Sequence, residues 1–233
     1  SGETFARRKM DGKFVGPILH VRKAIAHKLV FSKLHAKMGG NVRFAISGAA
    51  ALPKAIAEFF MSAGVPILEG YGLTETSPAL SLNPLEKPRF GTVGTIIHGV
   101  TVAIKSLEDQ SIIGEQSGSD YPSSLSTTEG EIVARGPNIM QGYWNNSLAS
   151  GEAIDADGWY HTGDVGRFDD GYLMITDRIK HMIVSKGGKN IYPGPIEDYF
   201  KTEASINQML VVGEGREYLT ALVVPDEDFI RRF

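Results

Sequence analysis

The sequence predicts an α/β fold: part of a parallel-sheet domain, then a small antiparallel β subdomain, then an incomplete α+β C-terminal domain. Three observations carry this. A strand, a helix and a second strand follow one another within about thirty residues from Val42, which is a βαβ unit and so a parallel sheet. After Gly91 the apolar period shortens from helical to alternating. The last segment, about fifty residues beyond Lys180, is too short for much core of its own. The boundaries expected are 1–95 for the C-terminal part of the α/β domain, 96–179 for a β-barrel-like subdomain, and 180–233 for the incomplete start of a mobile C-terminal domain.

In order along the chain, residues 18–38 read as an amphipathic helix. Ile18, Val21, Ile25, Leu29, Leu34 and Met38 form its apolar stripe, Arg22, Lys23, Lys28, Lys33 and Lys37 its basic side, and Gly39-Gly40 its end. Val42–Ile46 is a short strand ending in a turn at Ser47-Gly48. Pro53 suits the first turn of a helix that continues through Phe60 and Met61. Val65–Glu69 is a second strand that feeds a loop beginning near Tyr71. Val100–Ile104 and Glu131–Arg135 read as antiparallel strands, with Ser111–Thr128 a loose surface insertion rich in Ser, Gly and Thr. Gly136-Pro137 and Asp157-Gly158 are turns. Beyond Lys180 come a hairpin, a helix near Pro195–Thr202, and strands at Gln208–Val212 and Tyr218–Val224.

The composition is that of an ordinary globular protein, and no apolar run approaches the ~18 residues of a membrane span. Zero Cys excludes disulfides, thiolate zinc sites and a thiol nucleophile within this chain, and is compatible with the cytosol. Ser1-Gly2 reads as an interior beginning. The net charge of −3 conceals a polarity: residues 1–43 carry +8 and the remainder −11. Such asymmetry can mark contact with an anionic surface, so the basic helix is read either as lying on a membrane or as a solvated helix covering the sheet. His20, His27 and His35 lie seven and eight apart, not at the i, i+4 spacing of a helical metal pair, and read as a solvated face.

The chemistry concentrates in a few runs. Tyr71-Gly-Leu-Thr-Glu-Thr-Ser-Pro78 sets an exposed-looking aromatic, a glycine and two hydroxyls around one carboxylate at the carboxyl end of a strand, where open α/β sheets bind ligands. An aromatic face stacks on a purine, a glycine admits close backbone approach, and Thr with Glu suits phosphate and Mg²⁺. The alternative is a loop with a buried Tyr. Ser47-Gly48-Ala49-Ala50-Ala51 ends the preceding strand; such small residues suit either a flat base or tight helix–sheet packing. Asp164, in Tyr160-His-Thr-Gly-Asp164, suits two ribose hydroxyls because a carboxylate accepts from both, or else caps a turn. Asp177-Arg178 reads as a nucleotide contact or a surface ion pair of little worth. Gly187-Gly188-Lys189 lacks the upstream Gly and following Ser/Thr of a P-loop.

Taken together, the Tyr71 run, the Tyr160–Asp164 run and Asp177-Arg178-Ile179-Lys180 ahead of Gly187-Gly188 resemble the adenylate-forming superfamily: acyl-CoA synthetases, luciferase and peptide-synthetase adenylation domains. The run Lys189-Asn-Ile-Tyr-Pro-Gly-Pro-Ile-Glu197 makes long-chain fatty acyl-CoA synthetases the most similar branch. The resemblance spans about Val42 to Pro225. It implies that Tyr71 stacks on adenine, Thr74 touches phosphate, Glu75 binds Mg²⁺, and Asp164 and Arg178 hold the ribose. It implies further that Ser47, Gly48, Ala49, Ala50, Glu69, Gly70, Gly72 and Leu73 surround the nucleotide, that Lys180 is a hinge, and that Gly187 lines the path of the pantetheine thiol. His161 is a supporting neighbour rather than a reacting group. The family usually has Gly at Ala49 and often Pro at Ala51.

The implied co-substrates are ATP and coenzyme A, with Mg²⁺, and the implied partners are small molecules including a fatty acid, with no nucleic acid. A cytoplasmic location follows, with peripheral contact at the inner face of the membrane and a homodimer both left open. The family's Ser/Thr/Gly-rich phosphate loop and its terminal catalytic Lys are not found in this sequence. The expectation is therefore an internal fragment of a ligase, inactive by itself. Two alternatives stand beside it: an aryl- or amino-acid-activating enzyme, and a truncated form that only binds nucleotide.

Overall fold

A computed structural model describes residues 31–50, 52–201 and 203–231. The α/β class holds, and its three parts appear in the expected order. The first begins with a short helix, α1 (Ser32–Lys37), then β1 (Ala45–Ser47), α2 (Lys54–Ala63) and β2 (Ile67–Tyr71). β1 and β2 are parallel, Ala45 opposite Ile67 and Ser47 opposite Glu69. Pro53 stands just ahead of α2, and Gly64 ends it with φ +89°. A left-handed residue there costs glycine no Cβ clash. Two short strands extend this sheet: β3 (Ser81–Leu82) pairs antiparallel with β2, and β4 (Thr95–Ile96) pairs antiparallel with β3.

The centre of the molecule is a five-stranded antiparallel sheet in the order β6-β5-β7-β8-β9. Its strands are β5 (Thr101–Lys105), β6 (Ile112–Ser117), β7 (Gly130–Arg135), β8 (Tyr160–Asp169) and β9 (Tyr172–Arg178), and a short helix α3 (Ser147–Ala153) precedes β8. Alternation sorts its side chains. Val102 and Ile104 of β5, with Ile132 and Ala134 of β7, join Leu80, Ile96, Phe168 and Leu173 in the main core. Ala103 and Val133 point the other way, under Trp159, whose ring lies 3.9 Å from the Arg135 guanidinium carbon. Each fully buried aliphatic side chain contributes about 1.5–3 kcal/mol, so this double-faced sheet anchors everything attached to it.

The C-terminal part comprises the hairpin β10 (Ile183–Val184) with β11 (Asn190–Ile191), α4 (Pro193–Phe200), the pair β12 (Ile206–Val212) with β13 (Thr220–Pro225), and a last turn of helix, α5 (Glu227–Ile230). β13 is exposed along its whole length. A two-stranded sheet with so little covered surface is marginal without further packing.

Several expectations change. The Ser111–Thr128 insertion contains β6, which pairs with β5 from Thr101 opposite Ser117 onward; the residues after Ser117 are loop. The first two strands start two or three residues later than the apolar runs suggest, so Ser47 and Tyr71 end strands rather than begin loops. His35 is not a solvated side chain: its Nε2 is 2.8 Å from the Ala63 carbonyl at the end of α2. Most of the basic helix, with His20, His27, Lys23 and Lys28, lies outside the described residues, as does Ala51. Among the described residues no helix is long and apolar enough to cross a membrane.

Candidate functional site

The site forms where the end of β2 meets β8 and β9 of the central sheet. Tyr71 is the last residue of β2, and its ring packs on the main core. Its hydroxyl donates to Asp164 Oδ2 at 2.6 Å. Asp164 is buried on β8 and sits directly opposite Arg178 of β9. Arg178 Nε lies 2.9 Å from Asp164 Oδ1. Three residues separated by as much as 107 positions thus converge on one carboxylate. Burial first, then the Asp164 charge, pushes the Tyr71 hydroxyl well above its ordinary range, so it serves as a donor throughout physiological pH. The expectation of an exposed Tyr71 is corrected here: the ring is half-buried because its hydroxyl is held by a carboxylate.

Backbone shape follows from glycines and short-range bonds. A Cβ on Gly72 would stand 1.9 Å from the Pro78 carbonyl oxygen, so only glycine lets the chain double back. The following 3₁₀ turn, Thr74–Thr76, is held by Thr76 Oγ1, which accepts from Leu73 N at 2.9 Å and donates to Leu73 O at 3.0 Å. Thr74 is exposed and available to a ligand, whereas Thr76 is fully buried. Asn138 clamps the same loop from β7's far end, donating to the carbonyls of Thr76 and Ala79, each at 2.8 Å. Glu75 accepts from the Tyr143 hydroxyl at 3.0 Å, and this bond is the main cause that raises the Tyr143 pKa. Tyr160 is raised too, by burial and then by the charge of Glu75.

On the neighbouring strand end, Gly48, Ala49 and Ala50 are exposed, and Ala49 takes φ +68°. Gly48 stands close against the Gly70 carbonyl, where a Cβ would lie 3.6 Å from its oxygen. Glu69 is buried beside them. Its Oε1 accepts from Leu52 N at 3.1 Å, while Oε2 is buried with no hydrogen-bond partner among the described residues. Burial raises the Glu69 pKa, against the backbone N–H groups of Leu52 and Gly91, which lower it.

Asp177 and Arg178 do not pair with each other. Asp177 accepts from the backbone N–H groups of Arg178 and Gly194, both at 2.7 Å, while Arg178 turns to Asp164. Lys180 is exposed in a 3₁₀ turn, Ile179–His181, between β9 and the C-terminal hairpin. Gly187 lies in the exposed turn of that hairpin, with open space where a Cβ would stand. A separate cleft of about 690 Å³ is lined by Glu129, Arg167, Thr176, Asn190, Tyr192 and Leu219, and it includes none of the residues above.

Sequence reasoning missed Tyr143, Asn138 and Glu131. None belongs to a run with a chemical signature, and each reaches the site across 30 to 70 positions of chain. A second missed feature is the charged rim on the other face of the sheet. Lys105 Nζ is 2.6 Å from Asp155 Oδ2, and His161 bridges Asp155 at 3.3 Å and Glu131 at 2.9 Å. Burial acts to raise Asp155, but the bonds from Lys105, the Trp159 N–H and His161 outweigh it and hold that carboxyl at about 2.

The arrangement brings an aromatic hydroxyl and a guanidinium to one buried carboxylate, beside a hydroxyl-and-carboxylate turn. The chain belongs to the AMP-binding enzyme family, whose model matches residues 16–144, and the family's C-terminal domain model matches residues 180–232. It is 36% identical over 214 residues to the long-chain-fatty-acid–CoA ligase FadD15 of Mycobacterium bovis, covering 91% of this chain and 32% of that protein. It is 31% identical over 227 residues to the long-chain-fatty-acid–CoA ligase 1 of Cavia porcellus, covering 96% and 31%. Among solved structures, ATP-bound MatB from Rhodopseudomonas palustris superposes with a TM-score of 0.66 at 31% identity, over 82% of this chain and 37% of that one. The chain thus spans about a third of the length of the curated relatives it matches.

Proposed function

We propose that this chain carries the nucleotide-holding part of an ATP-dependent ligase that joins a fatty acid to coenzyme A. The observation that carries the proposal is the meeting of Tyr71, Asp164 and Arg178 at one carboxylate. In the first half-reaction the fatty carboxylate attacks the α-phosphate of ATP, giving acyl-adenylate and pyrophosphate. In the second, the coenzyme A thiol attacks the acyl carbonyl and AMP leaves. Neither step needs a side-chain nucleophile, in keeping with a chain that has no Cys.

Asp164 and Arg178 hold the ribose hydroxyls in this reading, and the Tyr71 ring lies against the base. Gly48, Ala49, Ala50, Gly70, Gly72 and Leu73 shape the opening around it. Glu69 stands buried behind these residues, with its Oε1 held by the Leu52 N–H. Thr74 and Glu75 face the phosphates. A single carboxylate that shares a metal with phosphate oxygens is the usual setting of Mg²⁺, and Glu75 fits it. Mg²⁺ held there would neutralise charge that develops on the phosphate oxygens. A hinge at Lys180 is supported by its exposed turn and by the C-terminal family model beginning at residue 180. The long-chain acyl class is supported by what the two curated relatives are named for.

Calorimetric titration of the 233-residue chain with AMP tests the reading. Asp164→Ala is expected to weaken AMP by about tenfold or more, the equivalent of ~1.4 kcal/mol. No heat of binding from the unmodified chain at millimolar AMP would refute a nucleotide site here. Pyrophosphate exchange driven by palmitate rather than by benzoate, measured on the complete gene product, tests the acyl class.

A further inference from the structure

The ribose carboxylate stands on an irregular piece of strand, and the structure shows what holds that piece. Along β7 the register advances two residues, from Glu131 to Val133. Opposite them β8 spans four, from Val165 back to His161. The excess of two residues is a bulge at Thr162-Gly163-Asp164, with Gly163 at φ +69°. Bulges re-aim side chains, and they leave ladder groups without their usual partners.

Two side chains take those groups. Thr162 Oγ1 donates to the Ile132 carbonyl at 2.7 Å and accepts from the Asp164 N–H at 3.1 Å. Glu131, itself buried, accepts from the Gly163 N–H at Oε1, 3.3 Å, and faces His161 Nδ1 at Oε2, 2.9 Å. One carboxylate therefore grips the middle of the bulge and the paired residue that leads into it. His161 is fixed in turn by Asp155, and Asp155 by Lys105. Lys105 lies directly opposite Glu131 across β5 and β7, so the chain of contacts closes on the rigid part of the sheet.

We infer that Glu131 is a positioning residue: it pins the bulge that aims Asp164 at a nucleotide ribose. The inference rests on the nucleotide reading above for its ligand, but not for its geometry. A buried carboxylate spent on a backbone N–H and an imidazole, rather than on a ligand, is costly unless the geometry it enforces is needed.

The test has two arms. In the unliganded chain, amide hydrogen exchange at Gly163 and Asp164 is expected to speed up about tenfold or more in Glu131→Ala, while β5 amides keep their rates. Glu131→Gln, whose amide oxygen still accepts from Gly163, is expected to stay within about threefold of the parent. Unchanged exchange in Glu131→Ala overturns the proposal. Should that variant not fold, Glu131→Met, which keeps the side-chain volume and removes both acceptor oxygens, takes its place, and unchanged exchange at Gly163 overturns the proposal equally.

The second arm compares AMP with 2′,3′-dideoxy-AMP, which offers Asp164 no hydroxyl. The parent chain is expected to prefer AMP by about tenfold, and Glu131→Ala to lose that preference to within about twofold. The double variant with Asp164→Ala is expected to lose no more than Asp164→Ala alone. Equal weakening toward both nucleotides would mark a general structural role and overturn the proposal. A parent chain that binds neither nucleotide refutes the nucleotide reading, and the exchange arm then decides the clamp by itself.

Discussion

Glu69 is a buried carboxyl, one oxygen of which finds no hydrogen-bond partner among the described residues. Burial raises its pKa in the folded state above the ~4.3 of an unfolded Glu. A group raised in this direction contributes most stability below its unfolded pKa, and the contribution is lost as pH rises through the folded value. At pH 8 the folded chain carries a charge it holds poorly. Glu69→Gln removes that charge and keeps the acceptor for Leu52 N. Its melting temperature is expected to exceed the parent's at pH 8, and the gap to close as pH falls toward about 4. Melting curves at the two values check this; a gap that widens in acid would contradict it.

At the scale of elements, the turn after β2 depends on a single missing Cβ. Gly72 approaches Pro78 O and the Ala79 Cα so closely that an alanine carbon would overlap both, at 1.9 and 2.7 Å. Neither neighbour is the end of a flexible side chain, so the backbone itself has to move. Gly72→Ala is expected to cost roughly 1–3 kcal/mol or more, by the usual penalty for overpacking. Urea titration measures the loss, and AMP binding should fall with it because Thr74 and Glu75 ride on the same turn. An alanine variant as stable as the parent would show that the turn has another conformation open to it.

At the scale of the molecule, the joint between the central sheet and the C-terminal part turns on Asp177. Its side chain is only 6% exposed, holds the Gly194 N–H at the start of α4, and faces His181 Nδ1 at 3.6 Å. Amides in the first turn of a helix have no partner within the helix, so Asp177 caps α4 from a strand of another part. Asp177→Ala is expected to raise hydrogen exchange across 190–200 by about tenfold while leaving β5 and β7 unaffected. A uniform rise everywhere would mean that the parts unfold together and would count against a joint at this place. Lys180 lies within this joint, exposed and three residues beyond Asp177, which is where a proposed hinge between two moving parts has room to turn.

Sequence by itself determined the α/β class, the parallel pairing of the first two strands, the antiparallel pairing of β5 with β7, and the runs that carry the candidate site. Those features are local: apolar period sets helix or strand, and the Tyr71 and Asp164 runs are contiguous. Only the tertiary structure decided that Tyr71 donates to Asp164, that Arg178 turns from Asp177 to Asp164, and that Glu131 and Asn138 hold the two loops in shape. It also converted the first third of a polar insertion into β6, because an edge position on a strong sheet supplies hydrogen bonds that outweigh weak strand propensity. Such partners lie tens of residues apart and are chosen by register and burial, and neither quantity exists until the strands have paired.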